Sequence, residues 1–278
     1  MAETHAPAPE RLAWTLRTYV RLAWTWCRAL AQYPASLLLL TGMVVLASAA
    51  EMGAVAIVFG HAGTLVGFTV FEGLLVYALA ATAFGCADLL MGSVERLGQH
   101  IRTGSFDAML VRPVSPLVQL ATDGFSPRRL GKVVPALAVL AVSLTVCDID
   151  WTVSRALMLP VLLASSIALC CAVWLAASCT QFVATDAREA ANSLTYGGQA
   201  LTEYPLALYG RGIVRAVTFA VPLAFVSWQP ALYLLDRPDP TGLPAALRWA
   251  APAVAVLSCV LAAAAWRSGL RRYRSTGS

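Results

Sequence analysis

The chain has 278 residues, of which 59% are hydrophobic and only 13% are charged, and its formal net charge is +5. Soluble domains carry roughly 25% charged residues, so this composition excludes an ordinary soluble enzyme and indicates a polytopic membrane protein. The positive charge does not indicate a nucleic-acid-binding protein. Lys132 is the only lysine, and the arginines flank apolar segments, where they anchor helices at a membrane surface.

Neither the cysteines nor the N-terminus indicates a redox site or a cleaved leader. The seven cysteines form no CxxC pair, and most lie inside apolar runs, where cysteine behaves as a small buried hydrophobic residue. The first 28 residues lack a short apolar core followed by a small-residue cleavage site. They are therefore not expected to be a signal peptide.

The first predicted element is an amphipathic helix over 11–30. At about 100° per residue, Arg17, Arg21 and Arg28 share one face, while the opposite half is apolar and is flanked by Trp14 and Trp24. Tryptophan at this density just before a span is typical of a helix that lies in the headgroup region of the inner leaflet. A plain soluble amphipathic helix is the alternative.

Six apolar stretches follow, each near the ~20 residues that a ~30 Å hydrocarbon core requires. The predicted fold is all-α. It is a single transmembrane domain over 1–278, with a cytoplasmic tail and interfacial amphipathic helix over 1–33, six transmembrane helices and short cytoplasmic coupling helices. Proline at a first helical position supports starts at Pro34 and Pro127. The predicted spans are 35–58, 64–91, 127–147, 155–180, 213–235 and 247–266.

The basic residues set the predicted orientation. With six spans, 17 of the 20 basic residues fall on one side, and only Arg155, Arg237 and Arg248 fall on the other. By the positive-inside rule, the prediction is a multi-pass protein of the cell inner (plasma) membrane with both termini in the cytoplasm.

The longest predicted cytoplasmic loop, 92–131, contains two short helices. Ser93 is the predicted N-cap of the first, and Gly104 is predicted to end it. Ser105 is the predicted cap of the second, which Pro113 stops. Two amphipathic helices at the mouth of a bundle indicate a docking surface, and a solvated loop without a partner is the alternative.

Two blocks of sequence resemble a permease family among the type-2 ABC exporters. Residues 101–114, IRTGSFDAMLVRPV, are similar to the family's signature R-x-G-x-x-D-x-x-L-x-R-P-V. The second block is looser and is similar to Y-P … Y … R … P-x-A-F … P-A-x-x-L-L. It consists of Tyr204, Pro205, Tyr209, Arg215, Pro222, Ala224, Phe225, Pro230, Ala231, Leu234 and Leu235. The blocks lie in opposite halves, so the resemblance covers most of the chain.

This resemblance implies a six-helix permease that forms half of the translocation pathway of an ATP-driven exporter. The permease would pair with a second permease, as a homodimer or heterodimer, and with two cytosolic ABC ATPase subunits in a lipid membrane. The loop after the second span would be the coupling segment that receives the ATPase stroke. We expect Glu95, Arg96, Arg102, Gly104 and Asp107 to form or brace the docking surface for the ATPase.

The chain contains no motif for hydrolysing ATP itself. It has no G-x-x-x-x-G-K-[ST], G-x-S-x-G or H-E-x-x-H, and His5, His61 and His100 are too dispersed to suggest a metal site. The prediction is a transporter subunit rather than an enzyme, with no catalytic residue, cofactor or metal in this chain. ATP and magnesium are expected on the partner ATPase.

Two acids, Glu51 and Glu72, lie inside predicted spans at about the same depth. A charge at the bilayer centre costs ~3 kcal/mol or more, so such residues usually face a cavity or a partner. We expect them to line the translocation pathway. An interhelical hydrogen bond, or protonation in place, is the alternative. No basic residue is predicted at that depth, which argues against an ion pair within the chain.

Two other functions stay open from the sequence. An ion-coupled secondary transporter would use Glu51 or Glu72 as a proton carrier and would need no ATPase, although the two halves show no evident repeat. A membrane-embedded lipid enzyme would need a cluster of acids, histidines or arginines at the interface, and only scattered ones occur.

Overall fold

The computed structural model describes residues 8–184 and 187–274 of this protein. Most of these residues are helical, which confirms the predicted all-α class, and Leu65 and Phe68 form an isolated β-bridge. Twelve α-helices lie in the described residues: α1 (Ala8–Ala31), α2 (Pro34–Ala62), α3 (Val70–Met91), α4 (Leu97–Arg102), α5 (Ser105–Val111), α6 (Pro116–Thr122), α7 (Leu130–Val146), α8 (Val153–Cys179), α9 (Arg188–Thr202), α10 (Arg211–Arg215), α11 (Trp228–Leu235) and α12 (Ala251–Arg272).

Five long apolar helices form a bundle in which α3 is central. Alone or with the turns that continue them, α2, α3, α7, α8 and α12 are long and apolar enough to cross a membrane. Small residues of α3 let its neighbours approach closely. A Cβ on Gly73 would lie only 2.3 Å from the ring of Phe59 on α2, and a Cβ on Gly85 would lie 3.2 Å from Val133 on α7.

The bundle has two polar ends. We call the end that carries residues 92–129 the layer end, and the end at which α8 begins the opposite end. At the opposite end, Arg155 in the first turn of α8 pairs with Asp236 after α11, with 2.9 Å between Nη2 and Oδ2. Between the ends, α2 and α12 expose apolar side chains outward, as helices that face lipid do. Examples are Leu39, Met43, Leu46, Val256 and Leu257.

The predicted fifth span, 213–235, is not one straight helix. Arg211–Ala220 and Leu223–Leu235 are two helical pieces inclined at 82° to each other. The break falls at Val221 and Pro222. Proline explains the break because it has no backbone N–H to continue a helical ladder and it drives the preceding residue out of the helical region. The segment is therefore a bent pair, which we call the hairpin.

Helix α9 and the residues 203–210 that follow it together connect the layer end to the opposite end. Near the layer end, Tyr196 of α9 donates its hydroxyl to Glu95 (3.2 Å). At the last residue of α9, the carbonyl oxygen of Thr202 accepts a hydrogen bond from Ser227 of the hairpin (2.7 Å). The sequence did not predict α9 as a crossing element because its polar side chains hide it from hydropathy. These are Asn192, Ser193, Thr195, Gln199 and Thr202.

Along this path of the chain, two arginines lie at the opposite end of the bundle. Arg211 and Arg215 line a cleft together with Thr241 and Leu243, which belong to the loop between α11 and α12. The prediction that both arginines lie on the arginine-rich side is therefore wrong. The asymmetry persists, since 15 of the 20 basic residues remain on that side along the corrected path.

The N-terminal helix α1 lies against the layer end. Tyr19 donates its hydroxyl to the carbonyl oxygen of Leu90 (2.9 Å), and its ring meets Phe125 edge-on at 6.5 Å. On the outward side, Trp14, Val20 and Trp24 are exposed. One side of α1 therefore packs on protein, and the other side has the aromatic and apolar character of a helix at the headgroup level.

The path of α9 and the hairpin predicts which loops share a side. In a cysteine-free background, we expect Gly210→Cys to react with an impermeant thiol reagent from the same side as Thr241→Cys, and Ser105→Cys from the other side only. Gly210 tolerates the change because a Cβ there meets nothing within 4 Å. Labelling of Gly210→Cys from the side of Ser105→Cys would restore 213–235 as a complete crossing.

Candidate functional site

Residues 92–129 form a compact layer of short helices, which we call the end layer. A 3₁₀ turn over Gly92–Arg96 is followed by α4, α5 and α6. The reversal between α4 and α5 depends on Gly104, whose φ of 70° is a left-handed conformation that favours glycine. As predicted, Gly104 follows the end of α4, and α5 ends before Pro113.

The predicted serine caps are wrong. Ser93 is buried inside the 3₁₀ turn, and its hydroxyl accepts hydrogen bonds from Arg96 and Arg129 (both 3.4 Å). Ser105 is the first residue of α5 rather than its cap, and its hydroxyl bonds with Nδ1 of His100 (2.8 Å). Both serines connect neighbouring segments of the end layer.

A cluster of four aromatic rings fastens the end layer to the bundle. Phe106 of α5 is 0% exposed, and its ring lies edge-on to Phe182, Trp266 and Tyr273, with centroids 5.8, 6.4 and 5.1 Å away. Such edge-to-face pairs contribute ~0.5–1.5 kcal/mol each beyond area burial. Because Trp266 lies on α12 and Tyr273 directly follows it, α5 cannot shift without moving the end of α12 or losing these contacts.

Asp107, a predicted docking residue, bonds with this cluster. Its Oδ1 accepts a hydrogen bond from the hydroxyl of Tyr273 (2.9 Å). Burial, together with this bond to a carboxylate, raises the pKa of Tyr273 to about 12. The hydroxyl therefore stays protonated at neutral pH and keeps donating. Asp107 braces α5 against the segment after α12.

A second polar link crosses the end layer from α4 to the turn after α6. Oδ2 of Asp123 lies 3.2 Å from Nε2 of His100 and 3.5 Å from Nη1 of Arg96, and Arg96 also donates to the carbonyl oxygen of Asp123. The hydrogen bond with His100, helped by the charge of Arg96, lowers the pKa of Asp123 although burial opposes the shift. Glycine at position 124 leaves room for the guanidinium group of Arg96, because a Cβ there would lie only 2.4 Å from Nη2 of Arg96.

Apart from Gly104, which forms the reversal between α4 and α5, the predicted docking residues divide into two groups. Arg102 is exposed at the end of α4, on the outward face of the end layer. Glu95, Arg96 and Asp107 are half-buried and bond to other segments of the chain. The exposed residues of the outward face are Gln99, Arg102, Thr103, Ala108, Leu110, Val111, Arg112 and Pro113.

Glu51 is exposed on α2 and lines a small polar pocket between α2, α3, α7, α8 and α9. Asp88, Lys132, Tyr196 and Gln199 line it too. Its volume of about 10 Å³ is close to the space that one water molecule needs. The prediction that no basic residue lies in the spans at the depth of Glu51 is wrong, because Lys132 of α7 lines the same pocket. In the described part of the chain, no three His, Cys, Asp or Glu side chains are grouped to hold a metal ion.

Glu72 lies elsewhere, at the start of α3. Its Oε2 accepts hydrogen bonds from the backbone N–H and hydroxyl of Thr69 (2.8 and 2.9 Å), which completes a capping box. Its Oε1 lies 2.8 Å from Nη2 of Arg237. The expectation of no ion pair within the chain is therefore wrong. The partner comes from the loop after α11, which folds back onto α3.

Sequence reasoning missed several groups at these sites. His100 was considered too isolated to form a site, yet it bonds with Asp123, 23 positions away, and Tyr273 reaches Asp107 across 166 positions. No local pattern connects residues so far apart. Lys132 did carry a signal, since the only lysine of the chain stands at the start of an apolar run.

Comparison with known proteins identifies one family. The family described as "ABC-2 family transporter protein" matches residues 45–277. The match begins within α2 and includes the end layer, α9, the hairpin and α12. No curated protein and no solved structure matches this chain.

The link through Asp123 predicts a local loss of stability. We expect Asp123→Asn to destabilise the end layer by about 1–3 kcal/mol, because Arg96 would keep its charge while losing its carboxylate partner. Hydrogen exchange should show reduced protection of 92–129 and unchanged protection of α8. Asp148→Asn, an exposed aspartate near the opposite end, is the matched control. Equal protection in both variants would contradict the link.

The same link predicts a dependence on pH. Because the folded state lowers the pKa of Asp123 below its ordinary 3.8, the stabilisation is fully present above that value and is lost as the pH falls through the folded value. We therefore expect the difference in protection between wild type and Asp123→Asn to be lost only in acid, as the pH falls below 3.8.

Proposed function

Because the chain belongs to the ABC-2 transporter family, we propose that it is the permease subunit of an ATP-driven ABC exporter and forms half of its translocation pathway. The observation that supports the proposal most directly is the end layer. Residues 101–114, which carry the family resemblance, include the last two residues of α4, the turn at Gly104 and all of α5, in the compact end layer of an apolar bundle. ATP and magnesium are assigned to separate ATPase subunits.

The outward face of the end layer has the character of a docking surface. Arg102 and Arg112 supply exposed charge, and between them Leu110 and Val111 expose apolar side chains, Val111 to 87%. An apolar centre with a charged rim is the usual composition of a protein interface, in which the rim charges set register and orientation. Beneath this face, the bonds of Arg96 and Asp107 keep α4 and α5 in a fixed position.

A movement of α5 driven by a bound ATPase would be transmitted directly to the helices of the bundle. Phe106 packs on Trp266 and Tyr273, so a displacement of α5 acts on the end of α12. Asp88 and Arg129 supply a second route, since Nε of Arg129 lies 3.4 Å from Oδ1 of Asp88 and joins the start of α7 to α3. We infer that both routes carry the coupling between ATP hydrolysis and the helices.

Glu51 supports the assignment of half a pathway. It is exposed on α2 although the helix around it is apolar. A charged group in the hydrocarbon costs ~3 kcal/mol or more, so a second permease or an aqueous path has to cover it. Helix α9, which contributes Tyr196 and Gln199 to the pocket of Glu51, also exposes polar and small residues, among them Ser193, Tyr196 and Gly197. A second permease, identical or different, would enclose this polar face.

The corrected charge asymmetry assigns the orientation. With 15 of 20 basic residues toward the layer end, the positive-inside rule favours a cytoplasmic end layer, both termini in the cytoplasm and residence in the inner (plasma) membrane. Two cytosolic ATPase subunits would then meet the end layers of two permeases. We propose export as the direction on the basis of the sequence resemblance.

Affinity purification of the tagged chain from its own cells tests this function. We expect an ABC ATPase and a second permease to copurify, and the complex to hydrolyse ATP. A chain that purifies alone and transports in response to an ion gradient without ATP would instead favour a secondary transporter that uses Glu51 beside Lys132.

The docking face predicts a specific loss of assembly. We expect Arg102→Glu to reduce copurification of the ATPase about tenfold, because a reversed rim charge misaligns the interface. Arg28→Glu, the same change at an exposed position of α1, should leave assembly unchanged. Asp107→Asn should retain the ATPase and lose transport, because the brace to Tyr273 weakens. Normal assembly in Arg102→Glu together with normal transport in Asp107→Asn would exclude this face.

Neutralising Glu51 and neutralising Glu72 should have opposite effects on stability and transport. Glu51→Gln should leave thermal stability unchanged and alter the rate or selectivity of transport. Glu72→Gln should lower the free energy of unfolding by about 1–3 kcal/mol, because it removes a charge-assisted bond to Arg237, and should leave selectivity unchanged. Thermal unfolding and transport assays on both variants check this. Unaltered transport in Glu51→Gln would remove Glu51 from the pathway.

A further inference from the structure

A cavity of about 290 Å³ opens at the opposite end of the bundle, far from the end layer. It lies between the start of α8, the end of α11 and the 3₁₀ turn Ala245–Trp249 that precedes α12. Its lining residues are Thr152, Ser154, Arg155, Tyr233, Asp236, Ala245, Arg248 and Trp249. None of them takes part in the proposed coupling or in the pocket of Glu51.

The charges of this cavity do not balance. Asp236 faces two arginines, with Oδ2 2.9 Å from Nη2 of Arg155 and Oδ1 3.8 Å from Nη1 of Arg248. The arginine side chains are held in place, with only 13% and 16% of their surface exposed, whereas the carboxylate is 67% exposed. Among the lining residues, two fixed positive charges therefore share one negative charge that lies at the solvent side.

Hydroxyl groups complete the polar wall. The hydroxyls of Ser154 and Tyr233 lie 3.3 Å apart, and Thr152 accepts a hydrogen bond from the backbone N–H of Arg155 (3.3 Å). The ring of Tyr233 meets Trp249 edge-on at 4.6 Å. Guanidinium forks with adjacent hydroxyls are the donor set that proteins use for phosphate, since the planar group bonds two oxygens at once.

The depth of the cavity fits a headgroup. Arg155 belongs to the first turn of a membrane-spanning helix, and Trp151 and Trp249 expose about half of their surface beside it. Exposed tryptophans at the end of a span are typical of the membrane–water interface, where phosphate groups of lipids lie. The cavity is somewhat smaller than the ~300–1,000 Å³ of most ligand pockets. That size suits a headgroup rather than a whole amphiphile.

We propose that this cavity binds a phosphate group through Arg155 and Arg248, supplied either by an anionic lipid headgroup or by a free phosphate. Asp236 is the internal competitor: its carboxylate occupies the guanidinium groups in the empty site and gives way to the phosphate. The proposal does not depend on the ATPase or on the direction of transport.

Two substitutions with opposite expected effects test the site in the delipidated, full-length protein. The probe is short-chain phosphatidylglycerol, and phosphatidylcholine is the neutral comparison. We expect Asp236→Asn to bind phosphatidylglycerol at least about threefold more tightly, because it removes the competing charge. Asn also tolerates the left-handed backbone there, where φ is 52°. Arg248→Gln should bind about tenfold more weakly, because a charge-assisted hydrogen bond is lost.

The matched control is Arg271→Gln, which neutralises an exposed arginine at the layer end and should bind as wild type does. Inorganic phosphate at constant ionic strength separates the two sources. Competition by millimolar phosphate indicates a free phosphate as ligand, and no competition indicates the lipid. Weaker or unchanged binding in Asp236→Asn would overturn the proposal, as would wild-type binding in Arg248→Gln. If Arg248→Gln fails to fold, the result for Asp236→Asn decides alone.

Discussion

The small residues of α3 let α2 and α7 pack directly against its backbone, and both ends of the bundle depend on this contact. At one end of α3, Glu72 is placed to pair with Arg237. At the other end, Asp88 pairs with Arg129, and a Cβ on Gly92 would lie only 2.1 Å from Oδ1 of Asp88. The attraction in a buried ion pair offsets the desolvation of its charges only when the geometry of the pair is good. Close helix packing supplies that geometry here.

The end layer is held in place by contacts with the same bundle. Phe106 and Ile101 are buried under it, and Gln181 at the end of α8 accepts a hydrogen bond from the backbone N–H of Gly98 (2.7 Å). Short helices of six or seven residues are not stable alone in water. The layer therefore exists because the ends of α8 and α12 hold it, and a partner bound to its outward face acts on those helices.

The long apolar helices and the turn residues of the end layer could be predicted from the sequence, because lipid demands length and hydrophobicity and because Gly104 and Pro113 act locally. The path of 188–235 could not. The polar residues of α9 lower its hydropathy, so it was not predicted to cross the bundle. The apolar run after Ile213 is long enough for one span, and only Pro222 indicated the bend. The pairing of Glu72 with Arg237 could not be predicted either, since it needs the loop after α11 to return to α3.

The arginines of the two ends differ in use as well as in number. At the layer end, Arg96 and Arg129 pair with Asp123 and Asp88, whereas Arg17, Arg21 and Arg102 are exposed at the surface. At the opposite end, Arg155 and Arg237 pair with acids from distant segments and hold the hairpin and its following loop to α8 and α3. Asp236 and Glu72 neutralise two of the five positive charges at this end, and Arg211 and Arg215 are exposed in a separate cleft. The shared carboxylate of Asp236 leaves one positive charge over, and the phosphate site is proposed at that position.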